Sequence, residues 1–309
     1  MDISNIAKFL KENDNFLILT HKSPDGDTLG SGFGLCYALR FLNKNANVVC
    51  SDEIPERYSY FTKEYAPQDF EVKTVIAVDV ADSVLLGKYS DMAVDFCIDH
   101  HKSNKFYAKE TYVDETAAAT VEIIAQILLF LEVEFTPLIA DCIYTGLCTD
   151  TGCFRYSNVT PHTLLTASAM LSNGADAYNI NRIMFETKTR ARVEVEKDVY
   201  QNMKFFEEGK IAVISLSQEL LQKTGAGEDE LEGVSAMGRQ IEGVEVALTL
   251  REKPNGEIKV SARTGQSVDA SEVCKNFGGG GHARAAGCSV MMSLEDACEA
   301  LVNTAKKYL

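Results

Sequence analysis

Positive charge is scarce in this chain. Its 30 Lys and Arg residues face 45 Asp and Glu, giving a net charge of −15 over 309 residues. Such a field repels a long polyanion unless a local basic cleft overcomes it, so extended nucleic acid is an unsuitable partner. Paired cysteines are missing too: the nine Cys residues (36, 50, 97, 142, 148, 153, 274, 288 and 298) are odd in number, scattered and without a CxxC motif. Several lie in apolar runs, where reduced cysteine packs as a small hydrophobe, and a reducing cytoplasm is the expected compartment. Long apolar segments do not occur either. The N-terminus, MDISNIAKFLKENDN, has no basic stretch leading into a hydrophobic one, and the longest apolar run, Ile123 to Leu131, is interrupted by Gln126 and too short to span a bilayer. Neither an export signal nor a membrane segment is expected. What remains, 46% hydrophobic and 24% charged residues, is an ordinary globular composition with length enough for two cored domains.

In the first half, short β-type runs alternate with helical patterns. Phe16 to Thr20, Ala46 to Cys50, Thr74 to Val78 and Val94 to Ile98 read as strands, and Thr28 to Leu42, Thr116 to Leu131 and Pro137 to Leu147 as helices. A further helix opens at Thr160-Pro161 and closes at Gly174. This alternation predicts an α/β domain over residues 1–187, a mostly parallel sheet flanked by helices. Residues 188–208 are highly charged, without strand signal or core density, and are expected to be a connector. A smaller α+β domain is predicted for 209–309. Its strands are Lys210 to Leu216, Val244 to Arg251, Ile258 to Arg263 and Cys288 to Met292, with a polar stretch at 225–230, a hairpin signal at Pro254-Asn255-Gly256 and a closing helix from Ser293.

The chemistry lies in the placement of histidines and acids. His21, Asp25 and Asp27 (in HKSPDGD), Asp79, Asp99, His100 and His101 all fall just past predicted strands, where reactive groups of open α/β sheets gather. Asp150, just past the Pro137 helix, joins them from a neighbouring loop. A lone aspartate after a strand is usually a cap or turn former. Here, though, four of the five histidines sit in motifs beside acids or glycines, His162 being the exception. Two acids separated by one glycine on an irregular loop can face different ions, which is a two-metal layout. Imidazole and carboxylate without thiolate suits Mn2+ first, with Mg2+ or Co2+ as substitutes, better than structural zinc.

In order and separation, HKSPDGD, VDVAD, DHH and CTDTG resemble the DHH phosphoesterase family, and GGGGHARAAG resembles the glycine-rich motif of that family's associated C-terminal domain. The length and the CFRYSN segment after Asp150 look most like its nanoRNase branch, the bifunctional oligoribonucleases and 3′-phosphoadenosine 5′-phosphate (pAp) phosphatases. The resemblance implies that His21 and Asp25 hold one metal ion and Asp27, His100 and Asp150 the other, with Asp79 bridging both. It further implies that Asp99 orients a histidine and that His101 faces the substrate phosphate. Two cations in such a site activate a water and neutralise charge on the transferring phosphoryl group, and His101 can supply a proton to the leaving oxygen.

In the second domain, consecutive glycines at 278–281 let backbone amides approach an anion. Gly279, Gly280, Gly281 and His282, with Arg263 and Arg284 nearby, are the expected clamp for a terminal phosphate. The active site is accordingly expected in a cleft between the domains. Substrates expected on this reading are short oligoribonucleotides, pAp or linear dinucleotides, with no long nucleic acid and no membrane, and a homodimer is left open. A phosphodiesterase of cyclic dinucleotides or their linear products is the alternative. A pyrophosphatase, a RecJ-like exonuclease and a non-catalytic nucleotide sensor fit less well.

Overall fold

The computed structural model describes residues 2–227, 229–231 and 233–309. Two units meet at Thr187/Lys188. The first contains α1 (Ile3–Glu12), β1 (Phe16–Leu19), α2 (Gly26–Phe41), β2 (Ala46–Val49), α3 (Ser59–Thr62), β3 (Thr74–Val78), β4 (Phe96–Asp99) and β5 (Glu110–Val113), then α4 (Thr120–Phe130), α5 (Pro137–Asp150), α6 (Pro161–Ser172) and α7 (Ala177–Asn181). Its strands form one sheet in the order β2-β1-β3-β4-β5, with every neighbouring pair parallel. Parallel strands are covered on both faces and so read as continuous apolar runs. Accordingly Phe16, Ile18, Ile76, Val78, Phe96 and Ile98 pack into the core built with α1, α2, α4 and α5. Leu19, Val75, Ala77 and Cys97 pack with Val80, Leu86 and Val94 in a separate cluster. This α/β architecture is the one expected; β5 escapes the apolar-run criterion because it is an edge strand with an exposed or half-buried pattern.

Glycine controls how closely α2 lies on α5. A Cβ at Gly26 would meet the Thr149 side chain at 2.4 Å, and one at Gly30 would meet the Cys142 carbonyl oxygen at 2.4 Å. The first turn of α2 is thereby brought against the last turn of α5.

The second unit contains α8 (Arg190–Asn202), β6 (Lys204–Phe206), β7 (Ile211–Leu216), α9 (Gln218–Thr224), α10 (Val234–Met237), β8 (Val246–Glu252), β9 (Ile258–Thr264), α11 (Ala270–Lys275), β10 (Gly280–His282), β11 (Ala285–Val290) and α12 (Leu294–Ala305). Of the polar stretch 225–230, Glu228 lies outside the described residues. The sheet order is β10-β11-β9-β8-β7-β6, antiparallel except between β7 and β8. Segment 188–208 corrects the sequence reading: it is not a coreless connector. Helix α8 buries Val195 and Val199 against Ile214, Leu216, Val234 and Met237, and β6 pairs with β7. Only two of its thirteen positions are apolar and buried, so the charged remainder hides the stripe. Among the described residues no helix is long and apolar enough to cross a membrane, and all nine cysteines are free.

Candidate metal centre

The ends of β1, β3 and β4 deliver most of the candidate ligands. His21 lies two residues past β1, Asp79 directly follows β3, and Asp99 closes β4, with His100 and His101 next in the chain. Two placements differ from the sequence reading. Asp25 and Asp27 are not on an irregular loop: Asp25 caps α2 by accepting the amides of Asp27 and Thr28 at 3.0 and 3.1 Å, and Asp27 stands in the first turn. Asp150 is not in a loop past a helix ending at Leu147, because α5 runs on to Asp150. Nothing in Cys-Thr-Asp breaks the helix before Gly152, whose φ is +56°.

These residues converge. Among the described residues, His21, Asp25 and Asp79 form one group that could hold a cation, Asp27, His100 and Asp150 form a second, and Asp79 also groups with His100 and His101, with candidate ligand atoms within 4.8 Å of one another. Asp79 faces both sides. Its Oδ2 is 3.7 Å from His21 Nε2, and its Oδ1 is 3.7 Å from His100 Nε2. His21 Nε2 is 3.6 Å from Asp25 Oδ1, while His100 Nε2 is 3.3 Å from Asp150 Oδ2 and 3.8 Å from Asp27 Oδ2. Asp79 is itself buried and holds a left-handed φ of +59°, a backbone state uncommon outside glycine and concentrated at functional sites.

The donor set fits a pair of divalent cations. His21 Nδ1 lies 2.8 Å from the Lys22 carbonyl and His100 Nδ1 3.2 Å from that of Ala117. A carbonyl can only accept, so in the neutral rings Nδ1 carries the proton and Nε2 presents its lone pair to the carboxylates. Buried His100 Nε2 has no hydrogen-bond partner, an arrangement that a cation between lone pair and carboxylates completes.

The carboxylates tell the same story. Burial and the nearby Asp27, Asp25, Asp150 and Asp99 push Asp79 well above the ordinary carboxyl range. Burial, then Asp27 and Asp25, brings Asp150 up to about 9. Asp27 is likewise raised, by burial and Asp25 against the opposing pull of His100. Asp25 is the exception: burial opposes its charge, but His21 and the α2 amides bring it below the usual value. Crowded carboxylates that resist ionising together are relieved by multivalent cations.

His101 stands apart from that set in its bonding. Its Nδ1 is 2.7 Å from Asp99 Oδ1, leaving Nε2 as the ring's outward nitrogen on a side chain that is 43% exposed. The Asp99 contact raises the pKa of His101 against the effect of burial. Asp99 reaches an imidazole here and lies in none of the metal-compatible groups.

Several supporting residues were not singled out from sequence. Asn104 donates Nδ2–H to Asp99 Oδ2 at 2.7 Å. Thr120 donates its amide to Asp27 at 2.6 Å and its hydroxyl to Asp79 at 2.9 Å. Val121 adds its amide to Asp27 at 2.9 Å. The sequence reading started this helix at Thr116, whereas α4 begins at Thr120, and nothing local tied its N-terminus to Asp27 some ninety positions away.

In the second unit the expected clamp separates into two parts. His282 pairs with Ala285, and Ala285 with Arg263, in register across β10, β11 and β9, so Arg263 and His282 share one face of the sheet with a small residue between them. Arg284 is one position out of phase, and its guanidinium donates to the carbonyls of Gly265, Gln266 and Val268. It ties down a loop of its own domain and has few donors left. The glycine run is also not an open amide cradle. Gly280–His282 is an edge strand, and the amides of Gly278 and Gly279 donate to the carbonyls of Lys275 and Cys274 at 3.1 and 3.0 Å. Gly279 is required by packing, since a Cβ there would meet the Gly287 carbonyl oxygen at 2.2 Å, whereas Gly280 faces open space.

Comparison with known proteins agrees with the geometry. The family model described as DHH family, N-terminal domain, matches residues 15–147, and the DHHA1 domain matches 208–309. The bifunctional oligoribonuclease and PAP phosphatase NrnA of Thermus thermophilus is 31% identical over 98% of this chain and 93% of its own. The protein of the same name from Bacillus subtilis is 27% identical over 90% of each. Among solved structures, an exopolyphosphatase-related protein from Bacteroides fragilis matches with a TM-score of 0.88 at 26% identity, covering 99% of this chain and 96% of that one. With both domains matched in order, and the cluster of histidines and aspartates lying within the first unit, the chain belongs to the DHH phosphoesterase family.

Proposed function

We propose that the protein hydrolyses short oligoribonucleotides exonucleolytically to mononucleotides and converts pAp to AMP, with two Mn2+ ions as its cofactor. The observation that carries this reading is the two-sided Asp79, whose oxygens face His21 on one side and His100 on the other. His21 and Asp25 would hold one ion and Asp27, His100 and Asp150 the other, with Asp79 available to both. When bound, the pair supplies an activated water and charge neutralisation for in-line displacement at phosphorus. His101, protonated and oriented by Asp99, binds a phosphoryl oxygen and gives its Nε2 proton to the leaving oxygen. Asp99 stays ionised throughout: burial opposes its charge, but bonds from His101 and Asn104 keep it below the ordinary value.

The two NrnA relatives, matched over 90% or more of each chain, support the substrate class. So does the net charge of −15, since a substrate of one or two nucleotides makes few phosphate contacts and needs no basic track. Arg263 and His282 bind the terminal phosphate or nucleotide end. The test is turnover by the Mn2+-loaded protein of pAp, of di- to pentanucleotides blocked at either end, of cyclic dinucleotides and of pyrophosphate. Release of mononucleotides from one end and of phosphate from pAp is expected. Turnover confined to cyclic dinucleotides or pyrophosphate contradicts the proposal.

A further inference from the structure

Four of the six ligand candidates are held by one short stretch of chain. The Ala117 carbonyl faces His100 Nδ1 at 3.2 Å, and the amides of Thr120 and Val121 donate to Asp27 at 2.6 and 2.9 Å. Thr120 Oγ1 donates to Asp79 at 2.9 Å. The Ala118 carbonyl accepts Asn158 Nδ2–H at 3.0 Å, and the same nitrogen donates to the Asp150 carbonyl at 3.1 Å. Three of these contacts and the Asn158 bridge bear on Asp27, His100 and Asp150; His21 and Asp25 make none of them.

Residues 117–119 are all alanine, and α4 begins at Thr120 with Ala119 at its N-cap position, which supplies no side-chain cap. Such a stretch cannot fix its own course. Glu122 does so from the first turn of the helix: its Oε2 accepts the Ala118 amide and the Thr163 hydroxyl, both at 3.1 Å. Thr163 belongs to the capping box that starts α6. Glu122 is only 1% exposed. Among the described residues its one ion-pair contact is the half-exposed His162, at 3.9 Å. Burying a carboxylate with so little compensating charge is costly, and an apolar residue would fill the same core position without that cost.

We infer that Glu122 is a positioning residue for the metal centre, acting through the backbone of residues 117–121 on the cation held by Asp27, His100 and Asp150. The inference rests on the two-metal reading above. It is tested by titrating the full-length protein with Mn2+ alone, followed by calorimetry and by electron paramagnetic resonance. Wild type should bind two ions. Glu122→Ala and the exposed-loop variant Asn158→Ala should each weaken one ion about 10- to 100-fold, the range seen when an outer-shell partner is lost, and leave the other unchanged. Glu122→Gln keeps an acceptor for the Ala118 amide and should recover most of the affinity. Where Glu122→Ala does not fold, Asn158→Ala and Glu122→Gln decide. Wild-type affinity for both ions in Asn158→Ala, equal weakening of both, or a glutamine variant with the weakened affinity of the alanine variant overturns the inference while leaving two wild-type ions in place. Fewer than two ions in wild type overturns both the two-metal reading and the inference.

Discussion

Asp99 Oδ1 lies 2.7 Å from His101 Nδ1, and the same oxygen accepts the backbone amides of His100 and His101 at 2.8 and 3.2 Å. One carboxylate therefore sets both the ring orientation and the loop that carries the ring. Asp99→Asn should leave two Mn2+ ions bound and lower kcat about 10- to 100-fold. The pH profile supplies a second reading. Asp99 keeps His101 protonated to higher pH, so without it the activity of a group acting as acid should begin to fall at lower pH than in wild type.

Metal-free protein should become less stable as pH rises. Asp150 is raised to about 9 and Asp27 and Asp79 are raised in the same direction, so between the ordinary carboxyl range and about 9 the folded chain binds more protons than the unfolded one. The sign of linkage is then a stability fully present below the unfolded pKa and lost as pH climbs through the folded one. Thermal unfolding in chelator should show Tm falling across that window. Mn2+ should raise Tm most at its alkaline end, where fewer protons must leave the ligands. A metal-free Tm that rises through the window contradicts this.

Gly146 is the place where one added methyl should disturb the centre with every ligand residue left unsubstituted. A Cβ there would meet Val121 at 2.5 Å and Asp27 Oδ1 at 2.9 Å. Gly146→Ala should cost about 1–3 kcal/mol of stability from overpacking, read by denaturant unfolding. In Mn2+ titrations it should also weaken the ion at Asp27.

The two arginines of the second unit should behave differently. Arg263 shares a sheet face with His282, and Arg263→Ala should raise KM for pAp about tenfold or more, as loss of a charge-assisted contact of about 1.5–3 kcal/mol would. Arg284 spends its donors on the carbonyls of residues 265, 266 and 268. Arg284→Ala should lower Tm and leave KM little changed.

The legibility of the sequence followed the range of the forces involved. Strands β3 and β4 announce themselves because both faces are buried, so apolar residues run continuously. The ligand motifs are legible because strand ends and their loops lie next to one another in sequence. Edge strand β5 and helix α8 were not, since β5 has no buried position and α8 has two among charged ones. The course of residues 117–121 was also hidden: alanines carry no chemical signal, and their work is done by backbone groups meeting Asp27 across more than ninety positions. Arg284 misled for the opposite reason, because a guanidinium in a glycine-rich motif looks like a phosphate ligand until its carbonyl partners are seen.

Phosphate release from pAp by the Mn2+-loaded wild type and by Asp79→Ala decides whether Asp79 serves two ions that act together on a phosphoester. Turnover by wild type and a loss of about 10³-fold or more in the variant are expected, the scale of several kcal/mol of transition-state stabilisation. Comparable turnover by both proteins, or none by a wild type carrying two ions, would contradict that role of Asp79.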